Sequence, residues 1–190
     1  FENNFSCAIP ILKRLKIPTV FYLSTNFIEN NDMSWIDKVE YCFEKYNHNL
    51  LLPWRKKDIF LNKRSDKIKY LEEIRKIVKN DKKINVDDFC EYIFSATKIK
   101  PIKKLSTDID KKISWSKVKT INKSNLFTIG GHSHKHISLG LLSEKKMKYQ
   151  IFKSLALFRK QINLNLKHYS YPEGQKIDFN HKVIKTLKDQ

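Results

Sequence analysis

Short apolar runs alternate with segments of helical periodicity along this chain, and that order constrains the fold more than any other feature. Thr19–Ser24 (TVFYLS) and Leu126–Gly130 are β-branched or aromatic runs of strand length, and His168–Tyr171 is a third. Helical segments separate them. Phe5, Ile9, Leu12 and Leu15 recur at helical spacing until Pro18 stops the helix. A helix from Ser114 carries Trp115, Val118 and Ile121, and a long one from Ser143 to about Asn163 turns Met147, Ile151, Leu155, Phe158 and Ile162 to its core. A last helix runs from Asp178 to the end. Strands alternating with helices pack as a parallel sheet with helices against it, so Thr19–Ser24 is expected to be a buried strand.

The middle of the chain reads differently. Ser34 with Asp37 three residues on resembles a capping box, opening a helix to about Asn47 along Trp35, Ile36, Val39, Phe43 and Tyr46. Similar starts at Ser65 and Asn85 open helices over about 65–79 and 85–96. Strand signals are sparse there. The expectation is one partial domain over 1–190 interrupted by a Lys-rich helical insertion at about 34–112.

Composition narrows the classes. No apolar run in the 190 residues approaches the ~18 needed to span a bilayer, and 41% hydrophobic content spread over the whole length excludes a disordered chain. The formal charge of +18 invites a nucleic-acid reading, yet 33 of the 38 basic residues are Lys, and Arg does most bidentate reading of phosphate and guanine. With no zinc-finger or helix-turn-helix pattern, nucleic acid is not an expected partner. Cys7, Cys42 and Cys90 are odd in number and lack C-x-x-C spacing, so neither a disulfide framework nor a cysteine zinc site is indicated. The chain opens on Phe1 without a Met or a signal peptide and is expected to be a fragment or a processed form.

Two segments carry chemistry. Gly130-Gly131-His132-Ser133-His134-Lys135-His136 follows directly on the Leu126–Gly130 strand, where parallel α/β folds place their sites. Two imidazoles separated by three intervening residues, His132 and His136, can share one first-row divalent cation where the chain turns tightly; a polar loop of idle histidines is the alternative. His134 is expected to point away from that pair. Lys167 to Gly174 (KHYSYPEG) ends a strand in a Pro and Gly turn, whose exposed backbone N–H groups suit a developing oxyanion or serve only to end the strand.

In order along the chain, three pieces resemble the metal-dependent polysaccharide deacetylases with NodB homology, carbohydrate esterase family 4. Phe5–Ser24 (FSCAIPILKRLKIPTVFYLS) is similar to the helix and second strand after that family's first motif, Thr128–His136 (TIGGHSHKH) to its histidine motif, and Tyr169–Gly174 (YSYPEG) to its third. Ser34-Trp35-Ile36-Asp37 resembles the branch of bacterial surface-polysaccharide biosynthesis. The resemblance implies an α/β fold, an incomplete, distorted (β/α) barrel of NodB type. It implies that His132 and His136 ligate a divalent metal, usually zinc, and that water activated by the metal attacks an acetyl carbonyl. The backbone amide of Glu173 would help hold the oxyanion, while Tyr171, Pro172 and Gly174 would contact an N-acetylated sugar or polysaccharide.

The sequence also departs from the family. No stretch of the 190 residues matches the family's Asp-Asp motif or its C-terminal His motif, so the chain is expected to be truncated at both ends and inactive by itself. Glu173 stands where an aromatic residue is common, and the Arg ahead of the third motif is not matched at Lys167 or His168. The expected function is a hydrolase removing N-acetyl or O-acetyl groups from a glycan or a lipid- or nucleotide-linked sugar, cytoplasmic or associated with the cell envelope. The alternative is a catalytically inactive domain of the same fold that binds an anionic polysaccharide or membrane surface through its Lys-rich half.

Overall fold

The computed structural model describes residues 2–102 and 111–190, so residues 103–110 of the expected insertion lie outside the described residues. The chain divides into two compact units, Phe1–Asp32 with Lys104–Gln190, and Met33–Lys103.

The first unit opens with a π-helical turn, Asn4–Ala8, that runs into α1, Ile9–Arg14. Phe5, Ile9 and Leu12 pack into the core, but Leu15, placed on the same face by periodicity, is 58% exposed. It stands outside because the helix has already ended. Lys16 is left-handed (φ 54°), and the amides of Ile17 and Lys16 close back on the carbonyls of Leu12 and Lys13, a Schellman turn placed just before Pro18.

Next come β1, Thr19–Leu23, and α2, Thr25–Asn30. Far along the chain follow α6, Trp115–Asn122; β4, Phe127–Gly131; α7, Glu144–Ile162; and α8, His181–Lys188. β1 and β4 pair in parallel, from Thr19 opposite Phe127 to Leu23 opposite Gly131. One face of the pair, with Leu23, Phe127 and Ile129, packs against Val118, Ile121, Phe158 and Ile162. β1 is not the buried strand expected: Val20 and Tyr22 are 40% and 39% exposed, because alternate side chains point away from that core.

The expected strand His168–Tyr171 is reduced to one parallel bridge between Tyr169 and Gly131. The Gly131 amide donates to the His168 carbonyl and the Ser170 amide to the Gly131 carbonyl, and since β4 ends at Gly131 no further rung can form. A Cβ on Gly131 would lie 2.6 Å from the Tyr169 ring, so a glycine is required where that ring crosses the strand. The last helix begins three residues later than expected. Asn180 caps it by accepting from the amides of Lys182 and Val183, while Asp178 is buried and accepts from the Gln175 amide instead. Helix and strand alternate as in an α/β unit, but pairing among the described residues of this unit stops at two parallel strands and one bridge, short of a barrel.

The second unit contains α3, Trp35–Lys45; β2, Asn49–Leu50; β3, Ile59–Phe60; α4, Arg64–Asn80; and α5, Val86–Thr97. The box at the start of α3 is complete: Ser34 Oγ accepts from the Asp37 amide and Asp37 Oδ2 from the Ser34 amide, both at 3.2 Å. Asn85 caps α5 through the Asp87 amide. Ser65 does not cap α4; the cap position is Lys63, without a side-chain bond, and Ser65 lies inside the first turn. The mostly helical expectation omitted one short hairpin, because β2 and β3 pair antiparallel over only two residues each, too short to leave a period. Val39, Phe43, Leu52, Ile59, Leu61, Ile74 and Ile93 form its core. Each such side chain contributes about 1.5–3 kcal/mol relative to exposure.

Candidate active site

The histidine loop begins where β4 ends, and nearly every turn of its backbone is held from a different element. The His132 amide donates to the Leu23 carbonyl at 3.2 Å, and Ser24 Oγ donates to the His132 carbonyl at 2.6 Å. The Ser133 amide donates to the Tyr169 hydroxyl oxygen at 2.8 Å. The Asn26 amide donates to the His134 carbonyl, and the Lys135 amide to Gln150 Oε1, both at 2.8 Å. These bonds hold an unfavourable shape. Ser133 (φ 58°) and His136 (φ 55°) are left-handed non-glycine residues, each disfavoured by about 1–2 kcal/mol.

Within that loop the rings of His132 and His136 lie with centroids 4.7 Å apart, crossed at 67°. His132 Nδ1 is 2.9 Å from the Ser170 carbonyl oxygen. A carbonyl can only accept, so Nδ1 carries the proton and Nε2 of the neutral ring is the lone-pair nitrogen. Burial pushes the imidazole below its ordinary pKa, opposed by the Ser170 bond and by the Glu173 carboxylate, which keeps the ring neutral near pH 7. His136 stacks on Phe27 at 6.3 Å.

His134 is turned elsewhere. It is buried, its Nδ1 bonds Thr25 Oγ1 at 2.9 Å, and burial with the charges of Lys153 and Lys135 pushes its pKa down to about 4.

The second segment sits beside the first. Glu173 (φ 66°) and Gly174 (φ 70°) are both left-handed, and the Gly174 amide donates to the Pro172 carbonyl across a three-residue turn of the rarer, strained kind. A Cβ at Gly174 would meet only the Tyr171 carbonyl at 3.9 Å, so backbone conformation, not space, asks for glycine there. Tyr171 is half-buried and stacked on Phe179 at 4.6 Å, Pro172 is buried, and Glu173 and Gly174 are exposed. Tyr169 links the two segments, and its burial raises its phenol pKa, so the hydroxyl stays protonated.

The donor set fits a divalent cation in part. The His132 and His136 rings share one side of a fixed loop, and the Ser133 hydroxyl of the same loop is buried without a hydrogen-bond partner. Among the described residues no third His, Cys, Asp or Glu completes a cluster that could hold a metal.

A family model described as Polysaccharide deacetylase matches residues 2–190. The chain belongs to the polysaccharide deacetylase family. No curated protein and no solved structure matches it. Members of the family are generally metal-dependent and act on acetylated sugars, so the family supports a deacetylase-type hydrolase. Periodicity missed the groups that shape this histidine loop: Ser24, Thr25, Asn26, Gln150 and the Tyr169 hydroxyl. The one available signal was polar residues at helical spacing on the inner side of α7, Gln150 and Ser154, both buried beside its apolar stripe.

Proposed function

We propose that the chain carries the histidine pair of a metal-dependent hydrolase that removes N-acetyl or O-acetyl groups from a glycan or a lipid- or nucleotide-linked sugar in bacterial surface-polysaccharide metabolism. The observation that carries this reading is the His132–His136 pair, 4.7 Å apart at the end of β4, with the His132 tautomer set by the Ser170 carbonyl. Imidazole nitrogens of both residues would hold the cation, zinc by donor type. A divalent cation bound there supplies Lewis-acid activation of water and of a carbonyl oxygen.

The rest falls to the chain's own groups. The Glu173 backbone N–H donates to the acetyl oxygen as negative charge develops, and Tyr171, Pro172 and Gly174 border the sugar. A distorted (β/α) barrel of NodB type, with about 34–112 as a helical insertion, is the architecture this reading carries. Among the described residues no helix is long and apolar enough to cross a membrane, and a cytoplasmic or envelope-associated location belongs to the same proposal.

The test is acetate release from N-acetylated oligosaccharides with added Zn2+ or Co2+. It compares the 190-residue chain with the protein its full gene encodes. The chain alone is expected to be inactive, since no residue in it matches the family's Asp-Asp motif. The gene product is expected to be active, and His132→Ala or His136→Ala to reduce it to background. An active gene product indifferent to both substitutions would sink the reading.

One observation favours the second reading, an inactive domain binding anionic polysaccharide. A cleft of about 510 Å³ between α7 and α8 is lined by Lys148, Lys182, Lys185 and His181 together with Glu144 and Asp189, with Glu144 paired to Lys148 and Lys182, so bases outnumber acids there. If the gene product binds metal but hydrolyses no glycan, while Lys182→Glu with Lys185→Glu abolishes retention on an acidic polysaccharide column, that reading replaces the first.

A further inference from the structure

Three consecutive residues just after β1, at the start of α2, reach the histidine loop 108 and 109 positions away. Ser24 Oγ donates to the His132 carbonyl, Thr25 Oγ1 bonds His134 Nδ1, and the Asn26 amide donates to the His134 carbonyl. All three are buried, at 3%, 0% and 7% exposure, and so is His134 at 5%. Asn26 is itself fixed, accepting from Asn30 Nδ2 at 2.8 Å and donating to Asp32 Oδ2 at 3.3 Å.

We infer that Ser24, Thr25 and Asn26 form a clamp that sets the spacing of the His132 and His136 rings, with Thr25 a positioning residue acting through His134. The inference rests on the metal-site reading above and deepens it.

The physical reason lies in the loop's shape. Ser133 and His136 hold left-handed conformations that their own side chains disfavour, so the loop keeps them only while outside bonds over-determine it. His134 lies between those two strained residues and is gripped twice, at its carbonyl by Asn26 and at its ring by Thr25. Release of the ring leaves only the backbone anchors at the His134 carbonyl and the Lys135 amide between them, and the chain can relax toward ordinary dihedrals, which parts the rings. This also accounts for a buried imidazole that faces away from the site. His134 serves as a peg, its far side packed edge-on against Tyr149 at 6.1 Å.

The experiment titrates Zn2+ into the 190-residue chain and follows the imidazole signals by NMR, with circular dichroism melting as a measure of fold. Thr25→Val keeps the side-chain shape and deletes the hydroxyl. Its Zn2+ dissociation constant should rise about 10- to 100-fold with the fold retained, while Thr25→Ser stays within about threefold of wild type, as for partners that orient metal-binding groups. The bond is also approached from its other end, in case Thr25→Val does not fold. His134→Leu should weaken binding, and His134→Asn, whose side-chain amide stands near the height of Nδ1, should restore it.

Unchanged affinity in Thr25→Val or His134→Leu would overturn the clamp while leaving the metal reading intact. Weakening that neither Thr25→Ser nor His134→Asn reverses would overturn it too, as a packing effect. If the wild-type chain and His132→Ala bind Zn2+ alike, the metal reading itself fails.

Discussion

Inside Met33–Lys103 the buried side chains are almost all apolar, and Thr97, whose hydroxyl donates to the Ile93 carbonyl of its own helix, is the buried polar residue among those described. The unit of Phe1–Asp32 and Lys104–Gln190 buries Ser24, Thr25, Asn26, Ser133, His134, Gln150, Ser154, Asp178 and Thr186. Most of these lie in or against the two loops of the candidate site. Buried polar groups stabilise only while every partner is present, whereas apolar ones tolerate approximate packing. One unit thus has a core that any close-fitting apolar set would satisfy, and the other has spent part of its interior on fixing two imidazoles.

The strongest way to break this comparison is to empty the apolar core. Phe43 is 2% exposed at the centre of the second unit, and Phe43→Ala should cost about 3–5 kcal/mol. That is on the scale of the whole stability of a unit this size. Amide exchange read by mass spectrometry should accelerate throughout α3, α4 and α5. Exchange at β1 and β4 should be unchanged, and so should the His132 and His136 ring signals. Equal acceleration in both units would show that they do not have separate cores.

The same contrast decides what could be read from the sequence. Helices α3, α5 and α7 were legible because caps and 3.6-residue periodicity are local: Ser34 and Asp37, Asn85 and Asp87, and the Met147 to Ile162 stripe each declare themselves within a few positions. The histidine pair was legible because it follows a strand and keeps a fixed spacing. The clamp was not, since Ser24 and Thr25 find their partners more than a hundred residues away, and TVFYLST reads equally well as a strand running into a turn. The strand at His168–Tyr171 was misjudged for a related reason, because its length is set by where β4 ends and not by its own residues. Ser65 looked like a cap, but the cap position falls at Lys63, two residues before the serine, which lies inside the first turn.

Acid should separate the units by a smaller margin. His134 is neutral when folded, with a pKa lowered from 6.5 to about 4, so between those values the unfolded chain binds the extra proton and stability falls as pH falls. The contribution is complete above about pH 6.5 and gone near pH 4. At 1.36 kcal/mol for each pKa unit it reaches at most about 3 kcal/mol, and His132 adds in the same direction. The second unit has a different window. Its Glu73 is held below the ordinary 4.5 by the Arg55 guanidinium, so what that pair contributes is lost only as pH falls below the carboxylate range. Denaturant melts followed by exchange at β4 should weaken between pH 6.5 and 4.5 and those at α4 should not, and His134→Asn should flatten the first. A β4 stability independent of pH in that interval would contradict the burial assigned to His134.

The smallest effect gives the sharpest comparison, because it sets two serines in equivalent positions against each other. Ser24 stands at the N-cap of α2 and Ser34 at the N-cap of α3, one in each unit. Ser34 Oγ serves its own helix, accepting from the Asp37 amide, and Ser34→Ala should cost about 1 kcal/mol, the usual value of a cap. Ser24 makes no cap bond; its hydroxyl donates to the His132 carbonyl instead. Ser24→Ala should cost a similar amount, about 1 kcal/mol, since a half-buried carbonyl loses its donor. Stability alone therefore cannot tell the two apart. The histidine signals can: Ser34→Ala should leave the His132 and His136 ring shifts in place, and Ser24→Ala should move both. If neither substitution moves them, Ser24 is only a packing serine and the difference between the units is one of composition. If Ser24→Ala moves them at a stability equal to that of Ser34→Ala, the same residue type at the same helical position caps a helix in one unit and aims a loop in the other.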